Sequence, residues 1–132
     1  MTGELYPAAT HDLTHMRRDL APEASAAFNH FGKAVFADGA LSARSKHIIA
    51  VAAAHVTQCP YCIRGHTRAA LREGATHHEL MEAIWVAAEM RAGAAFAHSI
   101  IAIAEMAEAG GSEANDHPRH ALTTGERHDH SI

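Results

Sequence analysis

The 132-residue sequence contains few of the residues that build β-sheets or large aromatic cores. It has four valines against 30 alanines, and aromatic residues make up 5% of the chain. Because alanine is the best helix former and β-branched residues favour strands, this composition predicts an all-α fold. Few bulky side chains are available to fill a monomeric core, so we also expect the protein to bury apolar surface as a homo-oligomer.

The sequence also lacks a basic excess, an uninterrupted apolar run and a phosphate-binding glycine motif. Its net charge of −4 gives no positive field for phosphates, so we expect no nucleic-acid partner. Residues 83–106 are mostly apolar, but Glu89, Arg91 and Glu105 interrupt them, and charges are costly at a bilayer centre. We therefore expect no membrane partner. Without a glycine-rich phosphate loop we expect no cofactor.

Neither a secretory signal nor a disulfide framework is visible. The first 22 residues are polar and show no apolar stretch of the kind that marks a signal peptide, which favours a cytoplasmic protein. The chain has only two cysteines, Cys59 and Cys62. In a reducing compartment such a close pair indicates redox or metal chemistry rather than a structural disulfide.

Helix-starting and helix-stopping residues divide the chain into five predicted helices. Pro22, Ser42 and Pro60 suit the cap or the first position of a helix, and Thr76-x-x-Glu79 has the pattern of a capping box. The predicted helices span residues 8–20, 22–37, 43–58, 60–72 and 76–109. A glycine near the middle of the last one leaves open whether it is continuous. The third has an apolar stripe that we expect to be buried, formed by Ile48, Ile49, Ala52 and Val56.

The same patterns predict three regions along the chain. Residues 1–40 are expected to form an N-terminal helical segment, and residues 41–110 the core. Residues 111–132 show almost no apolar periodicity, so we expect a flexible tail. Its histidines could bind metal adventitiously, although solvated side chains are the simpler interpretation; they are His117, His120, His128 and His130.

The strongest chemical signal is the pattern Cys59-x-x-Cys62-x-x-x-His66. On a helix these three side chains can share one face, because they are three and four residues apart. A helix N-terminus and an adjacent imidazole both stabilise a thiolate, and two thiols three residues apart can close a disulfide reversibly. The pattern therefore favours a thiol oxidoreductase.

The same residues leave two alternatives open. One is a pair of inert, buried cysteines. The other is a non-enzymatic metal-binding or sensing protein, although a structural zinc site usually has four ligands with a second pair downstream. Distant histidines would have to complete such a site, and the candidates are His47, His55 and His98.

A family resemblance becomes visible at these residues. It is found in the segment Ser-Lys-His-Ile-Ile-Ala-Val-Ala at 45–52, in Cys-Pro-Tyr-Cys-Ile-x-x-His at 59–66, and in Gly-Ala at 74–75 followed by Glu-x-x-Glu-Ala at 79–83. Over residues 40–106 the chain resembles the alkylhydroperoxidase D-like (AhpD-like) branch of the carboxymuconolactone decarboxylase superfamily. The decarboxylase branch is less similar, because its members generally lack the cysteine pair.

The resemblance implies an AhpD-like all-α helical domain, assembled as trimers or hexamers, with a thiol-dependent activity. It implies that the substrate is a peroxide or the disulfide of a partner protein. It also implies that electrons come from a dithiol reductant, either lipoyl-like or thioredoxin-like. By position, the resemblance assigns Cys62 to the thiol beside the proton-relay histidine, His66, and Cys59 to its disulfide partner.

This chain departs from the family pattern at one relay position. The family usually has a glutamate twelve residues before the first cysteine, where this sequence has His47. A carboxylate would orient and charge the imidazole, whereas a histidine would repel a protonated His66. Glu89, in a mostly apolar run, is the candidate for a substitute relay acid. Otherwise we expect Glu89 to pair with Arg91, His55 or a neighbouring subunit.

In the expected cycle, Cys62 is deprotonated through His66 and attacks a peroxide or a partner disulfide, and Cys59 then resolves the product. The helix N-terminus favours Cys59 as the attacking thiol, whereas His66 favours Cys62, so the sequence leaves the order open. The candidate catalytic residues are Cys59, Cys62, His66, His47 and Glu89.

Overall fold

The computed structural model describes residues 5–110, which form five α-helices and, within that range, no strand. The helices are α1 (His11–Leu20), α2 (Pro22–Phe36), α3 (Ala43–Thr57), α4 (Pro60–Arg72) and α5 (His77–Ala109). The all-α fold expected from the alanine-rich composition is confirmed. The expected flexible tail lies outside the described residues, as do its histidines His117, His120, His128 and His130.

Side-chain caps determine where the first and third helices begin. The hydroxyl of Thr10 accepts a hydrogen bond from the N–H of Leu13 at 3.4 Å, so α1 starts at His11 rather than at position 8. The hydroxyl of Ser42 accepts from the N–H of Ser45 at 3.1 Å and caps α3, as the sequence predicts.

The start of α5 has the reciprocal bonds of a capping box. The hydroxyl of Thr76 accepts from the N–H of Glu79 at 3.1 Å, and the Glu79 carboxylate accepts from the N–H of Thr76 at 2.8 Å. The same carboxylate accepts two hydrogen bonds from the guanidinium of Arg44, which ties the start of α5 to α3. The bond from the Thr76 backbone and then the Arg44 guanidinium lower the pKa of Glu79.

A small apolar cluster joins α3, α4 and the start of α5. Its members are at most 6% exposed: Val51, Ala70, Ala75 and Leu80. Val51 and Ala70 are completely buried, which shows that α3 and α4 pack closely through small side chains. This packing holds the beginning of α4 beside the end of α3, where the two cysteines lie.

The buried face of α3 differs from the predicted one. Ile49 and Val56 are 54% and 47% exposed, whereas Val51 and Ala54 are 0% and 4% exposed. Because a helix turns by about 100° per residue, Ile49 and Val56 lie on the side opposite Val51 and Ala54. The predicted burial is wrong for Ile49 and Val56, since α3 is apolar on two sides and its neighbours cover one.

α5 continues through Gly93 without a break. The chain divides after Ala95 into two units, and the described part of the second is residues 96–110. Large apolar side chains there are exposed, including Phe96 at 82% and Met106 at 68%.

α5 is long enough and apolar enough to cross a membrane, judged by length and composition alone. Core helices of soluble proteins meet the same two criteria. The absence of a membrane partner stays a prediction.

Candidate active site

Cys59 and Cys62 meet at the beginning of α4. Their Sγ atoms lie 2.8 Å apart, and both cysteines are free. Cys59 is the N-cap residue, and its sulfur accepts a hydrogen bond from the N–H of Cys62 at 3.3 Å. One thiol therefore occupies the position where a helix has unpaired N–H donors and partial positive charge.

The turn before α4 explains this placement. Gln58 ends α3 in the left-handed conformation, with φ 55°, and reverses the chain direction. The N–H of Cys59 then donates to the carbonyl of Ala54 at 3.2 Å. Pro60 has no N–H and suits the first helical position. Together these features place the side chain of Cys59 over the open end of α4.

The two thiols differ in acidity. The thiol of Cys62 and then its backbone N–H stabilise the anion of Cys59, so they lower the pKa of Cys59. The pKa of Cys62 is raised, first by the hydrogen bond to Cys59 and then by partial desolvation of a side chain that stays exposed. Of the two orders that the sequence leaves open, the geometry favours Cys59 as the thiolate.

His66 contacts a second histidine across the α3–α4 interface. The Nδ1 atoms of His66 and His47 lie 3.2 Å apart. Phe36, at the end of α2, stacks on both rings, with centroid distances of 4.5 Å to His47 and 4.8 Å to His66. Within residues 5–110 no hydrogen bond joins His66 to either cysteine. The imidazole that the sequence associates with Cys62 thus has His47 as its hydrogen-bond partner.

The protonation of this histidine pair is restricted. Burial, and then the positive charge of His47, lowers the pKa of His66. A hydrogen bond between two Nδ1 atoms needs one nitrogen that carries a proton and one that does not. The contact between His47 and His66 is therefore possible for the neutral or singly protonated pair, whereas two positive rings would separate.

Phe36 is absent from the residues that the sequence pattern predicts. Its position depends on the α2–α3 turn, in which Lys46 donates to the carbonyl of Ala37 at 2.6 Å. Asp38 accepts from the N–H of Ala43 at 2.7 Å, which fixes the start of α3. In the sequence, the turn residues after Phe36 show where α2 stops, but nothing shows which side chains its ring covers.

Tyr61, between the two cysteines, is held by the segment before α1. Its hydroxyl donates to the carbonyl of Pro7 at 2.8 Å, and the ring of Tyr6 meets it edge-on at 6.2 Å. Tyr61 also lines an open cavity of about 430 Å³ together with Leu13 and Arg17 of α1. The N-terminal segment thus contributes to the surroundings of the thiols, which no sequence motif indicates.

Glu89, the candidate relay acid, is exposed on α5, and its carboxylate lies beside Gly93, one turn further along the helix. In the described part of the chain Glu89 makes no hydrogen bond or ion pair. Arg91, its expected alternative partner, instead donates to the carbonyls of His55 and Val56 at 3.5 and 3.3 Å.

The candidate ligands form no metal site within the part of the chain that the structure describes. Among residues 5–110 no group of three or more histidine, cysteine, aspartate or glutamate side chains is arranged to hold a metal ion. The Nδ1 of His55 contacts the carbonyl of Val51 at 2.7 Å, and His98 is exposed in the second unit. The arrangement at the start of α4 is therefore a thiol pair with a nearby histidine pair.

Comparison with known proteins gives one family. The sequence profile described as "Carboxymuconolactone decarboxylase family" matches residues 22–106. Uncharacterized protein 4 in the cox locus of Paracoccus denitrificans is 63% identical over 86 residues, which cover 65% of this chain and 78% of that protein. An uncharacterized protein of Cupriavidus necator is 42% identical over 72 residues, which cover 54% of this chain and 64% of that protein.

Two crystal structures are similar as well. A protein from Methanobacterium thermoautotrophicum is 38% identical with a TM-score of 0.60, over 63% of this chain and 93% of that one. The apo form of a carboxymuconolactone decarboxylase family protein from Legionella pneumophila is 36% identical with a TM-score of 0.56. That match covers 61% of this chain and 75% of the Legionella chain.

Proposed function

The chain belongs to the carboxymuconolactone decarboxylase family, as its sequence predicts, and we propose that it is an AhpD-like thiol-dependent oxidoreductase. Its proposed substrates are peroxides or the disulfide of a partner protein. The main support is the 2.8 Å contact between the Sγ atoms of Cys59 and Cys62 at a helix N-terminus. One thiol has a lowered pKa, and the other is in position to close a disulfide with it.

In the proposed cycle the thiolate of Cys59 attacks one oxygen of a hydroperoxide. The O–O bond breaks, the leaving oxygen takes up a proton as an alcohol or water, and Cys59 becomes a sulfenic acid. The thiol of Cys62 then attacks the Cys59 sulfur, the S–O bond breaks, and water leaves as the disulfide forms. The cysteines lose the two electrons that the peroxide gains. A dithiol reductant restores both thiols, which suits a reducing compartment such as the cytoplasm.

This order differs from the expected cycle, in which Cys62 attacks first, and takes the other order that the sequence leaves open. The reason is the capping position of Cys59, whose sulfur accepts the N–H of Cys62 and is the more acidic of the two. With a peroxide substrate, Cys62 is then the resolving thiol. Its raised pKa means that it needs a base when it attacks the sulfenic acid.

We assign that base to the histidine pair. His66 has a lowered pKa, so it is neutral near neutral pH and can accept a proton. His47 occupies the position of the family's relay glutamate and contacts His66 through Nδ1. The proton of Cys62 would reach His66 through water, since no direct hydrogen bond joins them in the described chain. Glu89 has no place in this relay.

We also propose that the protein works as a trimer or hexamer. The described chain leaves large apolar side chains uncovered on α2 and α5: Phe28, Phe31, Trp85, Val86 and Met90, each at least 60% exposed. So many exposed large apolar side chains on two helices favour contacts with other copies of the chain. Contacts between copies would cover it, and analytical ultracentrifugation would reveal a single species heavier than 14.1 kDa.

The experiment that tests the proposed activity is peroxide consumption driven by dithiothreitol. Cys59→Ser is expected to abolish turnover. Cys62→Ser should lower it, because dithiothreitol must then reduce the Cys59 sulfenic acid without a resolving thiol. Thr67→Ser, a conservative change on the same helix, should leave turnover intact. After peroxide treatment without reductant, mass spectrometry should show the wild-type chain lighter by two hydrogens, with residues 59 and 62 joined. Undiminished turnover in either serine variant would exclude the mechanism.

A further inference from the structure

The helix that begins at the thiols has an unusual charge composition. Its charged side chains are Arg64, Arg68 and Arg72, and none of its 13 residues is acidic. The whole chain has a net charge of −4 with neutral histidines. α4 is therefore a local concentration of positive charge in an acidic protein.

These arginines lie on one exposed side of α4. They are spaced four residues apart, which places them on the same side over a length of about 12 Å. All three are exposed. Tyr61, between the two cysteines, is exposed too and lies three residues before Arg64 on this side. We call Tyr61, Arg64, Arg68 and Arg72 the arginine stripe; one end of it lies beside the thiols.

Acidic side chains do not neutralise the stripe within residues 5–110. The arginines that form ion pairs there are Arg18, with Asp19, and Arg44, with Glu79. Glu73 is the nearest acid in sequence, but it follows the last residue of α4 and forms no ion pair in that part of the chain. Unpaired guanidinium groups on a solvated helix attract anionic groups of a partner and pair readily with carboxylates.

A further basic residue lies at the cysteine end of the stripe. Arg17 of α1 lines the open cavity of about 430 Å³ that Tyr61 also lines. Positive charge is thus contributed there by α1 as well as by α4. A partner that approaches the thiols with acidic residues around its reactive group meets favourable charge on both helices.

We propose that the arginine stripe is a docking surface for acidic protein segments that deliver a dithiol to the Cys59–Cys62 disulfide. The proposal rests on the proposed function, since it requires that disulfide to form. Charge complementarity favours this occupant, because carboxylates placed next to a dithiol would lie along the stripe while the dithiol reaches the start of α4. Exposed charges act mainly on the rate of encounter, by about 10- to 1000-fold at low ionic strength.

The exchange step transfers two electrons from the partner to this chain. A thiolate of the partner attacks the sulfur of Cys62, which is the exposed member of the pair, and the S–S bond breaks with Cys59 leaving as a thiolate. The second thiolate of the partner then attacks the partner's own sulfur in the mixed disulfide. Cys62 leaves and takes up a proton, and the partner ends as a disulfide.

Two synthetic peptides with the same Cys-Gly-Pro-Cys centre test this docking surface. One has glutamates on both sides of the centre and the other has lysines. The second-order rate constant for reduction of the oxidised full chain is measured with each peptide and with dithiothreitol, which has no charged side groups. At low ionic strength the glutamate peptide should react at least about tenfold faster than the lysine peptide. At about 1 M salt, where the Debye length is about 3 Å, the two rates should converge.

Variants on α4, with a matched control on α2, show whether the effect comes from the arginine stripe. Arg68→Gln should reduce the ratio of the two peptide rates, and Arg64→Gln combined with Arg68→Gln and Arg72→Gln should bring it close to one. Lys33→Gln makes the same charge change on exposed α2 and should leave the ratio unchanged. The rate with dithiothreitol should change much less than the rate with the glutamate peptide, because its reactive form carries only the single charge of the thiolate.

The outcomes separate the two proposals. If peroxide forms no disulfide, or dithiothreitol fails to restore the thiols, the proposed function fails. If dithiothreitol restores the thiols but the glutamate peptide reduces the oxidised wild-type chain no faster than the lysine peptide does, the docking surface is refuted and the activity stands. If Lys33→Gln and Arg68→Gln reduced the ratio of the two peptide rates equally, the docking surface would also be refuted, because net charge alone would then explain the preference for the glutamate peptide.

Discussion

Replacing His47 with glutamate tests the histidine pair directly. The substitution puts a negative group where the structure has a ring that repels a protonated His66, with the Nδ1 atoms 3.2 Å apart. A carboxylate at the same separation would stabilise the charged form of His66 by about 1.3 kcal/mol even at the dielectric constant of water. Since a pKa unit corresponds to about 1.36 kcal/mol, the pKa of His66 should rise by about one unit or more.

The measurement is an NMR titration of the imidazole resonances, assigned to His66 by their loss in His66→Gln. His47→Gln is the matched control, because it removes the positive charge of the ring without adding a negative one and should raise the pKa of His66 less. A pKa of His66 in His47→Glu that is no higher than in His47→Gln would refute the geometry of the pair. The result is independent of the proposed activity, since no substrate is present.

The remaining predictions concern stability and thiol reactivity. Val51→Ala removes two buried carbon atoms and should lower the free energy of unfolding in urea by about 1.6 kcal/mol, plus a cavity term; no loss would contradict the core assignment. Thr76→Ala removes the cap of α5 and should cost about 1 kcal/mol, most of which Thr76→Ser restores. Folding lowers the pKa of His66, so the contribution of this residue to stability is complete above its unfolded pKa of about 6.5 and is lost as the pH falls towards the folded value. The melting temperature of wild type should therefore fall more steeply with acid than that of His66→Gln. Iodoacetamide at neutral pH should label Cys59 faster than Cys62 in peptide mass maps, and the reverse preference would overturn the proposed order of attack.

In the proposed relay, the histidine at position 47 has a different effect on His66 from that of a glutamate. A carboxylate raises the pKa of a neighbouring imidazole, whereas a second imidazole lowers it when charged. With its pKa lowered in this way, His66 is the neutral ring that is available to accept a proton. Thiol attack needs proton acceptance, so the substitution is compatible with the chemistry proposed for Cys62.

Much of the helical architecture follows from short-range signals in the sequence. Ser42, Cys59 and Thr76 cap helices where their residue types predict it, and the first-turn prolines of α2 and α4 lie at the expected positions. These features depend on bonds between residues three or four positions apart, so local sequence specifies them. The contact between the two sulfurs is local in the same sense, since it spans a single helical turn.

Other features of the site depend on packing between helices that are distant in sequence. Phe36 stacks on His47 and His66 only because the α2–α3 turn and the α3–α4 interface bring three helices together. Likewise Ile49 is exposed and Val51 is buried, because α3 has two apolar sides and neighbouring helices cover only the side of Val51. Periodicity identifies apolar sides but not which of them a neighbour covers.

The sequence by itself determined an all-α chain of the carboxymuconolactone decarboxylase family with two cysteines at the start of one helix, because caps, prolines and residue spacing act within a few positions. Only the tertiary structure decided that His66 faces His47, and that Phe36 covers the imidazole pair. Those contacts join residues 11 to 30 positions apart, and their geometry depends on how whole helices pack rather than on local spacing.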